Sequence, residues 1–191
     1  RDLGWRYSET RMLAQLGNTY FELGDYARAW QHHEQALLLC RETGNREDEA
    51  LSLDTLGLVA HYLDELDTAV VYFEQALAIH AQTGNVRDRA YALTHLGYTQ
   101  VALGQGEAAV ATLEAALRIR RDLGATALAQ DTLGGLALAA WRQGARERAA
   151  ALVANIAAYL REHGADGIEF PVQLYLICAQ IAADLLPDLA D

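Results

Sequence analysis

A short glycine-containing motif recurs along the chain at intervals of 40 residues. It reads RETGN at 41–45, AQTGN at 81–85, RDLGA at 121–125 and REHGA at 161–165, and RDLGW at 1–5 matches it. A fixed period of this size predicts a solenoid or another array of short repeats, in which each unit packs on its neighbours. The length of the chain therefore determines the number of repeats. We expect one extended array rather than a globular domain with a single core.

Each repeat carries two apolar stripes at helical spacing. In the first repeat Leu13, Leu16, Gly17 and Tyr20 recur at steps of three and four, and we expect them to face the core. A second stripe runs from Tyr26 to Cys40. Gly24-Asp25 separates the two stripes, and Gly44-Asn45 ends the second. Segments with the alternation of a β-strand do not occur, and alanine and leucine, which favour helices, dominate the chain. The unit is predicted to be helix, turn, helix, turn.

The repeat predicts where its turns and its close contacts lie. Turns are expected at Gly24, Gly44, Asp64, Gly84, Gly104, Gly124, Gly144 and Gly164. Small residues also form columns in register, including Gly17, Gly57 and Gly97 and, twelve positions later, Ala29, Ala69 and Ala109. We expect paired helices to approach closely at these positions, because a larger side chain would push them apart.

The segment LGNTYFELGDYARAWQHHEQAL at 16–37 resembles the tetratricopeptide repeat. The family pattern is Leu-Gly, an aromatic residue, Gly-x-Tyr, alanine and Ala-Leu. The matching residues are Leu16, Gly17, Tyr20, Gly24, Tyr26, Ala29, Ala36 and Leu37. The second and third repeats follow the pattern less fully, and the fourth is degenerate. The resemblance implies an all-α fold, a right-handed superhelix of tetratricopeptide type.

The period exceeds the ~34 residues of that family. The excess lies between Ala36 and Leu53, so the second helix is expected to run to about Glu42 and the next to begin near Arg46. One solenoid domain is expected over 1–191, with repeats at about 5–44, 45–84, 85–124 and 125–164 and a C-terminal helix at about 168–186. Since Arg1–Gly4 match the end of a second helix, we expect the chain to be a fragment of a longer protein.

Repeats of about this length resemble those of kinesin light chains and of spindle-orientation adaptors. They also resemble the C-terminal sensor arrays of bacterial multidomain signalling ATPases and transcriptional regulators. The sequence LGDYARAWQHHEQALLLCRETGN is most similar to this last group. The resemblance implies a cytoplasmic protein- or peptide-binding module, the sensory or scaffolding part of a larger bacterial regulator. Two alternatives stay open: sensing of a small-molecule inducer, and a structural spacer or oligomerisation segment.

In this family the first helix of each repeat lines a concave groove, which implies a set of contact residues. That set is Arg11, Asn18, Phe21, Glu22, Asp54, His61, Tyr62, Tyr91, Thr94, Tyr98, Trp141 and Arg142. We expect its aromatic members to form an exposed row, because large exposed aromatics are enriched at binding surfaces. The alternative that some tyrosines pack on neighbouring helices stays open. Arg11 and Arg142 lie at opposite ends, so the basic pairs with which chaperone-binding members clamp a carboxylate are missing.

Other classes of function are disfavoured. The net charge of −11 argues against nucleic acid and anionic membranes as direct partners, and no apolar run is long enough to span a bilayer. Cys40 and Cys178 are too far apart in sequence to suggest a disulfide framework or a zinc site. The last helix carries apolar residues on more than one face, which suggests a partner surface, with self-association as one candidate.

Apparent catalytic motifs do not fit their chemistry. GQGEAA at 104–109 resembles a dinucleotide loop, but it falls between two predicted helices rather than after a strand. His32 and His33 are adjacent and point in different directions on a helix, and His33 shares its column with Phe73 and Leu113, which predicts a core histidine. We therefore expect no enzyme activity, no cofactor and no metal site.

Overall fold

Eight α-helices joined by short turns make up residues 2–164, the part of the chain that the computed structural model describes. They are α1 (Asp2–Glu22), α2 (Tyr26–Thr43), α3 (Arg46–Tyr62), α4 (Leu66–Thr83), α5 (Val86–Ala102), α6 (Gly106–Asp122), α7 (Thr126–Arg142) and α8 (Arg146–His163). Residues 2–164 contain no strand, so the all-α prediction and its helix-turn-helix repeats are confirmed. The predicted helix at 168–186 and its partner surface lie outside the described residues. None of the eight helices combines the length and apolarity that crossing a membrane requires.

Every predicted turn holds a residue in the left-handed region. The φ angles at Gly24, Gly44, Asp64, Gly84, Gly104, Gly124, Gly144 and Gly164 lie between 62° and 76°. At Gly44 the backbone N–H groups of Gly44 and Asn45 both donate to the carbonyl of Cys40, which closes α2. The Asn45 side chain then accepts a 3.2 Å hydrogen bond from the Asp48 N–H and caps α3. The extension of α2 to Thr43 and the start of α3 at Arg46 agree with the prediction.

The prediction that Arg1–Gly4 end a preceding helix is wrong. Helix α1 begins at Asp2 and continues through Gly4, which has no positive φ. In three other copies the residue after the glycine donates to a carbonyl five positions earlier, and these bonds run from Asn45 to Cys40, from Asn85 to His80 and from Ala125 to Arg120. Glycine permits a left-handed turn without requiring one.

Two compact units divide at Thr99 and Gln100, within α5. In the first unit, a core cluster from α2, α3 and α4 includes Leu53, Leu56 and Ile79, and another surrounds Phe73. In the second unit, Leu113 of α6 packs with Leu133 and other residues of α7 and α8. Within each unit, core positions recur at the helical spacing that the sequence predicts.

The glycine column permits close helix packing. A Cβ atom added to Gly57 on α3 would lie 2.8 Å from Cε1 of Phe73 on α4, and one added to Gly17 on α1 would overlap the His33 ring on α2. Both rings are buried. The predicted close approach is confirmed at these two glycines, as is the prediction that His33 belongs to the core.

Leu16 does not face a core as predicted. Its side chain is 45% exposed, whereas Leu56, one repeat later, is fully buried. Leu56 lies on the side of α3 that packs against α2. None of the described helices covers the corresponding side of α1, which explains the difference.

Candidate protein-interaction site

An aromatic cluster forms where the first two repeats bring their helix ends together. Its members are Phe21 at the end of α1, Tyr26 at the start of α2, and His61 and Tyr62 at the end of α3. The Gly24 turn folds α2 back along α1, so the Phe21 and Tyr26 ring centroids lie 5.5 Å apart. Tyr62 stacks on Tyr26 at 5.3 Å and meets Phe21 edge-on at 5.4 Å. Phe21 and Tyr26 are half-buried and Tyr62 is 39% exposed, so the cluster presents an aromatic surface.

His61 anchors this cluster to the next repeat. Its ring lies edge-on to Tyr62 with centroids 5.8 Å apart, and its Nδ1 lies 3.0 Å from Oγ1 of Thr99. The Thr99 hydroxyl donates its own hydrogen to the carbonyl of His95, so it accepts from His61 and Nδ1 carries the proton. Burial lowers the pKa of His61, and the nearby Asp64 partly opposes that shift. Burial therefore favours the neutral imidazole, and the hydrogen bond to Thr99 fixes its orientation.

Acidic residues border the aromatic cluster. Glu22 follows Phe21, while Asp64 and Glu65 follow Tyr62 in the next turn, and all three are exposed. We call these three residues the acidic rim. None of them forms an ion pair within the described part of the chain. The neighbouring cation Arg28 pairs with Asp25 and lies over the Tyr20 ring, with its guanidinium carbon 5.0 Å from the centroid. The rim is left with an unbalanced negative charge.

Three members of the predicted contact set are not exposed as expected. Tyr98 is buried, and so are Thr94 and Asp54. Tyr98 lies in a second aromatic group on α5, where the His95 ring is 4.3 Å from Tyr91 and 6.2 Å from Tyr98. The hydroxyl of Thr94 donates a hydrogen bond to the carbonyl of Ala90. The predicted exposure is wrong at these three positions. A helical stripe gives the direction of a side chain but not how far other helices cover it.

Asp54 takes part in a buried pair instead. Its Oδ2 lies 2.8 Å from Nε2 of His80, and both side chains are almost fully buried. Burial raises the pKa of Asp54 to about 6, although the hydrogen bond from His80 opposes that rise. The second oxygen, Oδ1, has no hydrogen-bond partner. This pair is closed to a ligand and belongs to the interior of the second repeat.

The remaining predicted residues lie at several places. Arg11, Asn18 and Glu22 are exposed on α1, and Asn18 makes a 3.1 Å hydrogen bond to Nε2 of His33. In the second unit, half-buried Trp141 lies under the guanidinium of Arg146, 5.6 Å from the ring centroid. Arg142 donates to the carbonyl of Val101 over 2.9 Å. Of the twelve, the structure joins Phe21, His61 and Tyr62 in the aromatic cluster, and Tyr91 and Tyr98 in the second aromatic group. Their role in binding stays a prediction.

Sequence reasoning missed two residues of these aromatic groups. Tyr26 was placed in the second apolar stripe and left out of the predicted contact set, yet it stacks on the exposed Tyr62. His95 lies one step from the predicted stripe and joins Tyr91 to Tyr98. Phe21 and Tyr26 lie on either side of the Gly24 turn, and this spacing is the signal that could have revealed Tyr26. Within residues 2–164, no three or more His, Cys, Asp or Glu side chains are grouped to hold a metal ion.

Protein-family comparison agrees with the repeat pattern. Two models, each described as tetratricopeptide repeat, match residues 8–82 and 90–123, which together exceed half of the chain. The chain is also 54% identical over 39 residues to G-protein-signaling modulator 1 of Mus musculus. That match covers 20% of this chain and 6% of the relative. It concerns about one repeat in a much longer protein.

Solved structures share the fold. A Rap protein complexed with Competence and Sporulation Factor superposes with a TM-score of 0.80 at 18% identity, over 93% of this chain and 49% of that one. A putative kinesin light chain repeat protein of Podosopora anserina superposes with a TM-score of 0.71 at 19% identity, over 94% and 88%. Identities this low establish the architecture alone, an α-solenoid of helical repeats. Taken with the family models, they show that this chain belongs to the tetratricopeptide-repeat family.

Proposed function

We propose that this chain binds a protein or peptide and serves as the sensory or scaffolding part of a larger bacterial regulator. Tetratricopeptide repeats generally mediate protein interactions, and proteins built from them are typically non-enzymatic scaffolds. The observation that carries the proposal is the aromatic cluster, because it leaves Tyr62 exposed beside half-buried Phe21 and Tyr26. Tyrosine anchors of this kind supply much of the free energy at protein interfaces.

The regulator role rests on the repeat pattern and on a shared fold. The length and the sequence of the repeats resemble those of bacterial sensor arrays. The Rap protein that shares the fold was solved in complex with Competence and Sporulation Factor. We extend the formation of a complex with another molecule to this chain. A cytoplasmic location and the absence of catalysis are part of the same proposal. The remaining predicted groove residues, from Arg11 to Arg142, are secondary candidates for contact.

The experiment is a comparison of Tyr62→Ala with Tyr62→Phe. Tagged wild-type protein captures partners from the natural host, and each variant is then tested by calorimetry against the recovered partner. Tyr62→Ala should weaken binding about 30-fold, since a hot-spot residue contributes ~2 kcal/mol. Tyr62→Phe keeps the ring and should bind like wild type. Full affinity in Tyr62→Ala, with an unchanged melting curve, would remove the aromatic cluster as the site.

A further inference from the structure

The two turns that carry the aromatic cluster also expose leucines. Leu23 follows α1 and is 74% exposed, and Leu63 follows α3 and is 43% exposed. They occupy the same position in consecutive repeats, and the contact of Phe21 with Tyr62 holds the two helix ends side by side. We call Leu23, Leu63 and the aromatic cluster the turn patch. Exposed apolar side chains grouped in this way mark an interaction surface.

The charge around the turn patch is one-sided. The acidic rim of Glu22, Asp64 and Glu65 borders it, and Asp67 is exposed one turn further along. No arginine occurs between Arg46 and Arg87, and the chain contains no lysine. Arg28, the nearest cation in sequence, is already paired with Asp25. The described residues therefore offer the rim no counter-charge, and a partner that supplied one would gain from it.

Asp64 stands out among the turn residues. Its φ of 62° places it in the left-handed region, where each of the other seven turns has glycine. A side chain there costs the fold free energy, and aspartate is better tolerated than most residues. The turn patch therefore keeps a carboxylate at a position where glycine would suit the backbone better.

We propose that the turn patch binds a basic, apolar protein segment in which arginine or lysine flanks a leucine-like side chain. This deepens the proposed function, on which it rests, by naming the chemistry of the partner. The apolar side chain packs between Leu23 and Leu63, and the cation lies against the Tyr62 ring and is balanced by the acidic rim. The protein already uses such contacts internally, at Arg28 over Tyr20 and Arg146 over Trp141.

Fluorescence anisotropy with designed peptides tests the chemistry. The probe is a labelled peptide of repeated Arg-Arg-Leu-Leu blocks, compared at low salt with Glu-Glu-Leu-Leu and Arg-Arg-Ser-Ser peptides of equal length. Wild-type protein should bind the first peptide and bind both others at least about tenfold more weakly. Affinity should fall as salt rises, because exposed charges are screened. Equal binding of the glutamate peptide, or no binding of the arginine–leucine peptide, would overturn the proposal.

Matched variants locate the site. The rim variant Glu22→Gln/Asp64→Gly/Glu65→Gln removes three charges at the turn patch and should weaken the arginine–leucine peptide about tenfold. The control Glu9→Gln/Glu34→Gln/Glu74→Gln removes three exposed charges elsewhere and should bind within about twofold of wild type. Equal weakening in both variants would show that net charge alone attracts the peptide. A wild-type dimer that the rim variant converts to monomer would assign the turn patch to a second copy and contradict the inference.

The two proposals fail in different ways. If Tyr62→Ala loses the captured natural partner while the rim variant retains it, the proposed function stands and the basic partner is wrong. If Tyr62→Ala also retains it, both fall. Circular dichroism at the melting transition checks that each variant is folded, so that a loss of binding is not a loss of structure.

Discussion

Gly57 lies so close to Phe73 that a methyl group on its Cα would be 2.8 Å from the ring. The same relationship joins Gly17 to His33 one repeat earlier. Each pair brings the two helices of a repeat together by giving one helix no side chain and the other a large one. The repeat thus encodes its helix spacing in a pair of positions sixteen residues apart.

Gly57→Leu should destabilise the protein. The new side chain overlaps the Phe73 ring, and overpacking of this kind costs ~1–3 kcal/mol, only partly offset by the ~1 kcal/mol that leucine gains over glycine in a helix. The melting temperature, followed by circular dichroism, should fall. Adding Phe73→Ala to Gly57→Leu should cost less than the two separate losses combined, since the ring no longer obstructs the leucine. Additive losses would contradict the close-approach account.

Asp64→Gly should stabilise the protein. Left-handed backbone costs a residue with a Cβ ~1–2 kcal/mol, and glycine avoids that cost while losing more chain entropy on folding. We expect a net gain of about 0.5–1 kcal/mol in the free energy of unfolding, measured by urea titration. Gly24→Asp, the reverse change in the preceding repeat, should destabilise by a similar amount. A loss of stability in Asp64→Gly would mean that the carboxylate supports the fold.

His33→Phe should make the protein less sensitive to acid. Burial, with a smaller effect from His32, lowers the pKa of His33 from 6.5 to about 4. The unfolded chain therefore takes up this proton at a higher pH than the folded protein does. The stability that His33 contributes is present above pH 6.5 and is lost as pH falls through 4, by on the order of 3 kcal/mol. Urea titrations at several pH values should show that the free energy of unfolding falls less steeply with decreasing pH in the variant than in wild type.

The reverse change provides the control for His33. Phe73 holds the equivalent place against Gly57, so Phe73→His should introduce an acid sensitivity into the second repeat. An unchanged acid limb in His33→Phe would show that other groups control acid unfolding. It would then be wrong to assign the acid response to the core histidine.

Asp54→Asn should change the pH profile in the opposite direction. Burial raises the pKa of Asp54 from 3.8 to about 6, so the folded protein holds this proton more tightly than the unfolded chain. The resulting stability is present below pH 3.8 and is lost as pH rises through 6, by on the order of 3 kcal/mol. Asparagine keeps an acceptor for His80 without the charge. Relative to wild type, the variant should therefore gain stability between about pH 4 and pH 7.

An exposed acid provides the matched comparison for Asp54. Asp67→Asn removes one carboxylate of the same repeat that makes no ion pair among the described residues. Urea titrations of both variants across the same pH range separate burial from net charge. If the difference in unfolding free energy between Asp54→Asn and wild type did not change with pH, ionisation of Asp54 would not destabilise the folded protein.

The fold was largely predictable because the same helix and turn signals recur in each repeat. Each turn residue, from Gly24 to Gly164, was identified by its position in the period, and every one adopts a positive φ. Leu16 failed because burial of that column depends on a helix on the other side, which α1 lacks among the described residues. The prediction for Gly4 failed because glycine permits a left-handed turn without requiring one, and α1 continues through this position.

The candidate site was less predictable. Phe21, His61 and Tyr62 of the aromatic cluster belong to the predicted contact set, whereas Tyr26 was placed in the second apolar stripe and left out of it. Tyr98 and Asp54 were expected to be exposed and are buried. A helical stripe gives the direction in which a side chain leaves its own helix, but not how far the adjacent helices cover it. Exposure in a solenoid depends on two neighbours, and periodicity alone does not describe them.

Nuclear magnetic resonance on the labelled protein, titrated with the captured partner, tests the binding account most directly. The account predicts that the backbone amide shifts change most around Phe21, Tyr26 and Tyr62. The rings of these three residues contact one another in the aromatic cluster. It also predicts that Tyr62→Ala abolishes those changes while leaving the rest of the spectrum intact. Shift changes confined to the outer surfaces of α2 and α4, or to residues 100–164, with the aromatic cluster unaffected, would contradict it.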